Sequence, residues 1–393
     1  MYQDVMCDKL FTLDLEQEVL TNQLQQIIIA EIHNNNGYIP FSRYMELALY
    51  HPNLGYYNNL LYKFGSKGDF VTAPLISELF GVSVSDQMLE LFANQVNPDI
   101  LEFGAGNGQL MLDILGQIGN LVDKYYIIEL SANLANLQQQ RLEKEFPQHK
   151  DKVIWLTELP EEFNGVILAN EVLDAQPCEL VRWSNNEMHL IGVANHDGKF
   201  TYIDTKADGD VLSTASLLPI SFPINQTNYI SEISLSNRGF ITSLAQCLSS
   251  GVILLIDYGY PVTEYYNEMR NRGTLRGFFR HYQLDDVLLY PGLIDITASV
   301  DFTAIATTGV DVGLDLIGYT TQANFLINCG VISQLEAKKQ QLDNVEYLKM
   351  SNQVNRLISP GEMGEIFKVL AFSKNVNFAD FIGFSNGDKS YTL

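Results

Sequence analysis

Two short stretches of the chain carry residues whose types and spacing suit chemistry. The first, Leu101-Glu102-Phe103-Gly104-Ala105-Gly106-Asn107-Gly108, sets three glycines on alternate positions behind an acid. Glycine lets a backbone turn sharply and lets a ligand approach without a Cβ in the way. A helix starting there offers unpaired N–H groups. Glu129 follows about twenty residues after the last glycine, where an acid at a strand tip can accept from both ribose hydroxyls of a nucleoside. Alone, the glycines read equally as a plain tight turn and Glu129 as a helix-capping surface acid. Together they favour a nucleoside cofactor.

The second stretch runs from Leu168 through Asn170, Glu171 and Asp174 to Pro177. In an open sheet, ligands sit beyond the carboxyl ends of the strands near a switch in strand order. That rule brings Asn170, Glu171 and Asp174 to the same crevice as the glycines. Three residues apart, Glu171 and Asp174 share one face if their loop is helical. A guanidinium is planar, always charged and matched by carboxylate forks, so these acids could clamp one, orient a nitrogen lone pair and take up a proton. The alternative is that Asp174 or Asn170 merely caps the loop. Asp257, before Tyr258-Gly259, is a further candidate wall or a turn-forming Asp. Asp69, in Gly68-Asp69-Phe70, is a candidate polar contact in a loop that closes over the cofactor, or part of a structural turn. Tyr56-Tyr57 and Phe278-Phe279 are candidate pocket linings, because aromatic faces favour guanidinium. The six histidines show no metal-ligand spacing, so no metal site is expected.

Strands must alternate with helices to hold these residues. The spacing predicts helices over 16–34, 41–50, 76–96, 110–118 and 131–146, with strands at 99–102, 125–129, 153–156, 165–169, 251–257 and 364–373. Such alternation implies an α/β fold with a parallel sheet covered on both faces. Between 178 and 205 the pattern turns hairpin-like, with Asn185-Asn186 and Asp197-Gly198 as turns. The expected organisation is a helical N-terminal cap at 1–95, a cofactor-binding domain at 96–261 and 346–393 with a β-meander insertion at about 178–236, and a lid-like insertion at 262–345.

Of 393 residues, 47 are Asp or Glu and 24 are Lys or Arg, a net charge of −23. That surface repels phosphate backbones and anionic lipid and suits a cationic partner. Nucleic acid is disfavoured. Apolar runs fall far short of the ~20 residues that a membrane span needs. Cys7, Cys178, Cys247 and Cys329 are isolated and read as buried hydrophobes in a reducing compartment. The acidic N-terminus fits neither a secretory signal nor an Arg-rich transit peptide, so the expected location is cytoplasmic.

The E-x-G-x-G-x-G run resembles motif I of class I S-adenosylmethionine-dependent methyltransferases, whose loop holds the amino-acid end of that cofactor; the spacing favours it over nicotinamide dinucleotide. The resemblance extends further, in order, over nearly the whole chain. Gly55-Tyr56-Tyr57, Gly68 to Pro74, Ile76-Ser77, Phe80-Gly81, Glu102 to Gly108, Leu168 to Pro177, Asp257-Tyr258-Gly259, Gly273-Thr274-Leu275, Asp295 to Phe302, Thr321 to Leu326 and Met363 to Leu370 are similar to the MidA family, which includes the mitochondrial complex I assembly methyltransferases. The resemblance implies a Rossmann-like class I methyltransferase sheet with a helical N-terminal part and inserted subdomains. It implies S-adenosylmethionine as cofactor, held by Glu102, Gly104, Gly106, Gly108, Glu129 and Asp69. It also implies methylation of an arginine in a protein substrate of the respiratory complex I type, with Glu171, Asp174 and Asn170 at the reacting atoms. Leu75 stands where the family carries Glu, and Asn107 where many members carry Arg. A non-catalytic assembly protein on the same fold and an RNA methyltransferase are the rival readings; a homodimer is left open.

Overall fold

The computed structural model describes residues 12–59, 71–184, 187–220, 228–280, 282–377 and 381–393. Its centre is an eight-stranded sheet. The strand order is Asp315–Thr321, Phe367–Lys374, Leu248–Tyr260, Phe163–Asn170, Ile100–Phe103, Tyr125–Ile128 and Val153–Leu156, with Val300–Asp301 pairing off the third. From Leu248–Tyr260 to Val153–Leu156 the neighbours run parallel. Phe367–Lys374 is antiparallel to both of its neighbours, so the sheet is mixed and not parallel as expected. Seven of that strand's eight residues are buried; apolar patterning reports burial on both faces and not chain direction.

Strand Ile100–Phe103 lies between Tyr125–Ile128 and Phe163–Asn170. The chain leaves it toward one edge and returns on the other side. The switch in strand order therefore falls at its carboxyl end, where the glycines begin. Helices Glu78–Ala93 and Gln109–Ile118 cover one face with a core around Phe80, Met88, Leu112 and Ile256. Helices Leu235–Cys247 and Phe302–Asp311 cover the other around Ile167, Leu255 and Phe302.

A second sheet carries the expected meander, Glu179–Ser184, Glu187–His196 and Lys199–Lys206, joined by Tyr229–Ile233. Its turn at Asp197-Gly198 has positive φ at both residues (51° and 82°), as a tight primed hairpin turn requires; Asn185-Asn186 lies outside the described residues. Two elements depart from the sequence reading. Tyr38–Pro40, expected within a helical part, is a strand paired with residues 192–194; three residues are too few for a period to show. Asp315–Thr321, expected within the lid-like insertion, is the edge strand of the central sheet.

Candidate active site

The glycine turn forms where strand Ile100–Phe103 gives way to helix Gln109–Ile118. Gly104, Gly106 and Gly108 have φ of +61°, +55° and +82°, left-handed values that favour glycine. A Cβ at Gly104 would lie 3.3 Å from the Val172 side chain. Helix Ala132–Glu145 reaches back to hold the turn: the Gln138 amide donates to the Gly106 carbonyl (2.8 Å) and to Glu129 (3.1 Å), while the Trp155 indole donates to Gln138 (2.7 Å). Arg141 adds bonds to the Asn107 carbonyl (3.0 Å) and Gln109 (2.8 Å). Glu129 accepts the Ser131 N–H at 2.9 Å. Glu102 is buried against the Tyr125 hydroxyl (2.7 Å), and burial pushes it up to about 7.

Across the cavity the acids are held differently. Glu171 adopts φ +55°, a strained conformation for a residue with a Cβ. Its Oε1 accepts from Asn170 (3.2 Å) and from the Ala73 N–H (3.3 Å). Beneath the loop, Asp257 Oδ2 accepts the N–H groups of Val172, Leu173 and Asp174 (2.9–3.2 Å), and its Oδ1 accepts that of Tyr258 (2.8 Å). Asp257 is thus the loop's anchor and not a wall of the cavity.

Three side-chain acceptors stay buried without a hydrogen-bond partner: Asn170 Oδ1, Glu171 Oε2 and Asp174 Oδ1. Burial, then the neighbouring Asp174, push Glu171 up to about 8. Burial, then Asp257 and Asp295, push Asp174 well above the usual carboxylate range. Burial and Glu171 raise Asp257 to about 7 against the pull of its N–H donors. The four N–H donors favour the ionised form of Asp257, so burial and its acidic neighbours raise Asp174 further than Asp257.

One cavity of about 660 Å³ joins the two sides, lined by Glu102, Gly104, Gly106, Glu129, Asn170, Glu171 and Asp174 among others. Gly108 caps the following helix. Tyr56 and Tyr57 line the cavity, whereas Phe279 packs into the hydrophobic cluster of the N-terminal helices. Asp69, Cys7 and His281 lie outside the described residues. Gln138 and Tyr50 belong to the site but carry no sequence signal as site residues, while Asp295, which lines the cavity, opens a run that the family resemblance includes without marking it as a site. Gln138 is one of three consecutive glutamines, and Tyr50 ends an ordinary amphipathic helix. The left-handed glycines, the space a Cβ would fill and an acid at the next strand's tip suit an adenosyl cofactor with an amino-acid end. Among the described residues, no group of three or more His, Cys, Asp or Glu side chains is placed to hold a metal ion, and no helix is long and apolar enough to cross a membrane.

Comparison with known proteins agrees with this geometry. Residues 83–320 match the model of a family of S-adenosyl-L-methionine-dependent methyltransferases, and the chain belongs to that family. A Burkholderia thailandensis protein crystallised with S-adenosyl-homocysteine is 37% identical with a TM-score of 0.90, over 98% of this chain and all of that one. The "protein arginine methyltransferase NDUFAF7 homolog, mitochondrial" of Caenorhabditis elegans is 27% identical over 91% of this chain and 88% of its own. Its counterpart from Danio rerio is also 27% identical, over 87% and 85%. These mitochondrial names overturn the expected cytoplasmic location. Acidity and the lack of an apolar span bear on which surfaces a chain binds, and do not choose among aqueous compartments.

Proposed function

We propose that this chain transfers the methyl group of S-adenosyl-L-methionine to an arginine guanidinium of a protein. The observation that carries the reading is the set of buried, unpartnered acceptors Asn170 Oδ1, Glu171 Oε2 and Asp174 Oδ1, on residues that line the same cavity as the glycine turn. Leaving such acceptors unmade is unfavourable, and a planar cation with several N–H donors satisfies them together. The names of the curated relatives support the same acceptor. By family resemblance, we assign that acceptor to a subunit of the respiratory complex I type.

Gly104, Gly106 and Gly108 would hold the cofactor's amino-acid end, with Glu102 behind them and Glu129 toward the ribose. When bound, S-adenosylmethionine supplies an electrophilic methyl group on a positively charged sulfur. Displacement at such a carbon depends mainly on positioning. Glu171 and Asp174 orient the guanidinium so that one nitrogen faces the turn, and the Asn170 amide fixes the Glu171 carboxylate. An entering cation favours the ionised form of both acids, so they release protons as the acceptor binds. A freed carboxylate then takes the proton that the substituted nitrogen sheds. In this reading 1–95 supplies the aromatic wall and 96–261 with 346–393 the cofactor side.

Labelled S-adenosylmethionine incubated with native extract, followed by mass spectrometry of the labelled band, tests the proposal. The expected result is label on arginine in one protein. Label confined to other residue types, or none at all, contradicts it.

A further inference from the structure

We infer that Gln138 is the positioning residue that sets the glycine turn and Glu129 at a fixed spacing for the cofactor, and that Trp155 fixes which way its amide points. The inference rests on the assignment of that turn and that acid to S-adenosylmethionine. Helix Ala132–Glu145 has two buried residues, Gln138 and Leu142, one turn apart. Leu142 packs into the hydrophobic core, as an inward position of a helix ordinarily does. Gln138 is fully buried as well, and a buried amide is unfavourable unless its hydrogen bonds are made. Three are made, and they join the turn, the acid and the next strand.

An indole N–H can only donate. The Trp155 bond (2.7 Å) therefore holds the amide oxygen toward strand Val153–Leu156 and turns the NH2 group the other way. That group donates to the Gly106 carbonyl (2.8 Å) and to Glu129 Oε2 (3.1 Å). A flipped amide would set its oxygen against that carbonyl and that carboxylate, and would leave the indole facing a donor. The third glycine rests on the same side chain: a Cβ at Gly108 would lie 3.2 Å from Gln138 Cγ. The Gly106–Asn107 peptide is trans, so its N–H points opposite its carbonyl. Holding the Gly106 carbonyl thus turns the Asn107 N–H away from the helix, and Asn107 lines the cavity. A backbone N–H presented in this way suits the carboxylate of the cofactor's amino-acid end.

The test is calorimetric titration of S-adenosylhomocysteine and of 5′-methylthioadenosine, which keeps the ribose and lacks the amino-acid end. Gln138→Glu keeps the shape and the acceptor for Trp155 but loses both donors. It should weaken S-adenosylhomocysteine binding roughly 10- to 100-fold, the range for leaving buried partners unpaired, and 5′-methylthioadenosine binding by a smaller factor. Trp155→Phe should weaken S-adenosylhomocysteine binding by roughly threefold to tenfold. A carboxylate gives the indole no orientation to select. Trp155→Phe added to Gln138→Glu should therefore bind no worse than Gln138→Glu alone, a non-additivity that a merely structural tryptophan would not show. Equal losses for the two ligands, or additive losses in the double variant, overturn the inference. If Gln138→Glu does not fold, Trp155→Phe decides: weaker S-adenosylhomocysteine binding with a native circular dichroism spectrum supports the inference, and unchanged binding overturns it. A wild type that binds 5′-methylthioadenosine as tightly as S-adenosylhomocysteine overturns the cofactor assignment beneath the inference, and the inference with it.

Discussion

The two sides of the cavity are held by opposite means. On the glycine side, Gln138 bonds to Gly106, Glu129 and Trp155, and Arg141 bonds to the Asn107 carbonyl, so the turn is held by side chains from the next helix. On the acid side, Asn170, Glu171 and Asp174 each keep a buried oxygen without a partner, and Glu171 sits in a left-handed conformation. A site built for a cofactor that every turnover uses can be complete in itself. A site built for a cation must be left short of positive charge. The proposed reading ties those unfavourable features, and not the satisfied ones, to the entry of the second reactant.

Four experiments break or sharpen that contrast. The largest effect is expected from Gly104→Val. A branched side chain at φ +61°, 3.3 Å from Val172, should lower S-adenosylmethionine affinity by roughly 100-fold or more while the circular dichroism spectrum stays native. Next comes Asp257→Asn. An amide cannot accept from Val172, Leu173, Asp174 and Tyr258 with both of its atoms, so the variant should lose about 1–3 kcal/mol in denaturant unfolding and part of its turnover.

A smaller effect concerns pH. Glu171 titrates near 8 in the fold against 4.5 for an ordinary Glu. The folded protein therefore holds this proton more tightly than the unfolded chain does. Its contribution to stability is fully present below about 4.5, falls as pH rises, and is gone above about 8. Without ligands, the melting temperature should drop between about pH 5 and 8, and Glu171→Gln should flatten that decline.

The same contrast explains what the sequence disclosed. The cofactor side lies almost wholly within residues 100–141, where glycine spacing and a strand-tip acid are local signals, and Gly104, Gly106 and Glu129 were legible from them. The acid side gathers Tyr50, Tyr57, Asn170 to Asp174, Asp257 and Asp295 from distant parts of the chain. Local pattern could offer Glu171 and Asp174 as candidates but could not show that Asp257 lies beneath them or that Asp295 joins them. The antiparallel strand Phe367–Lys374 escaped for a related reason: direction depends on topology, while the residues record only burial.

The central claim is that one side of the cavity serves the cofactor and the other the acceptor, and Glu171→Gln tests it most directly when cofactor affinity and methyl transfer are measured on the same preparation. The variant should bind S-adenosylmethionine within about threefold of wild type, yet lose transfer to arginine by roughly 100-fold or more, as expected when an interaction made with the reacting group is removed. Transfer at the wild-type rate, or a loss of transfer that merely tracks a loss of cofactor binding, would contradict the division.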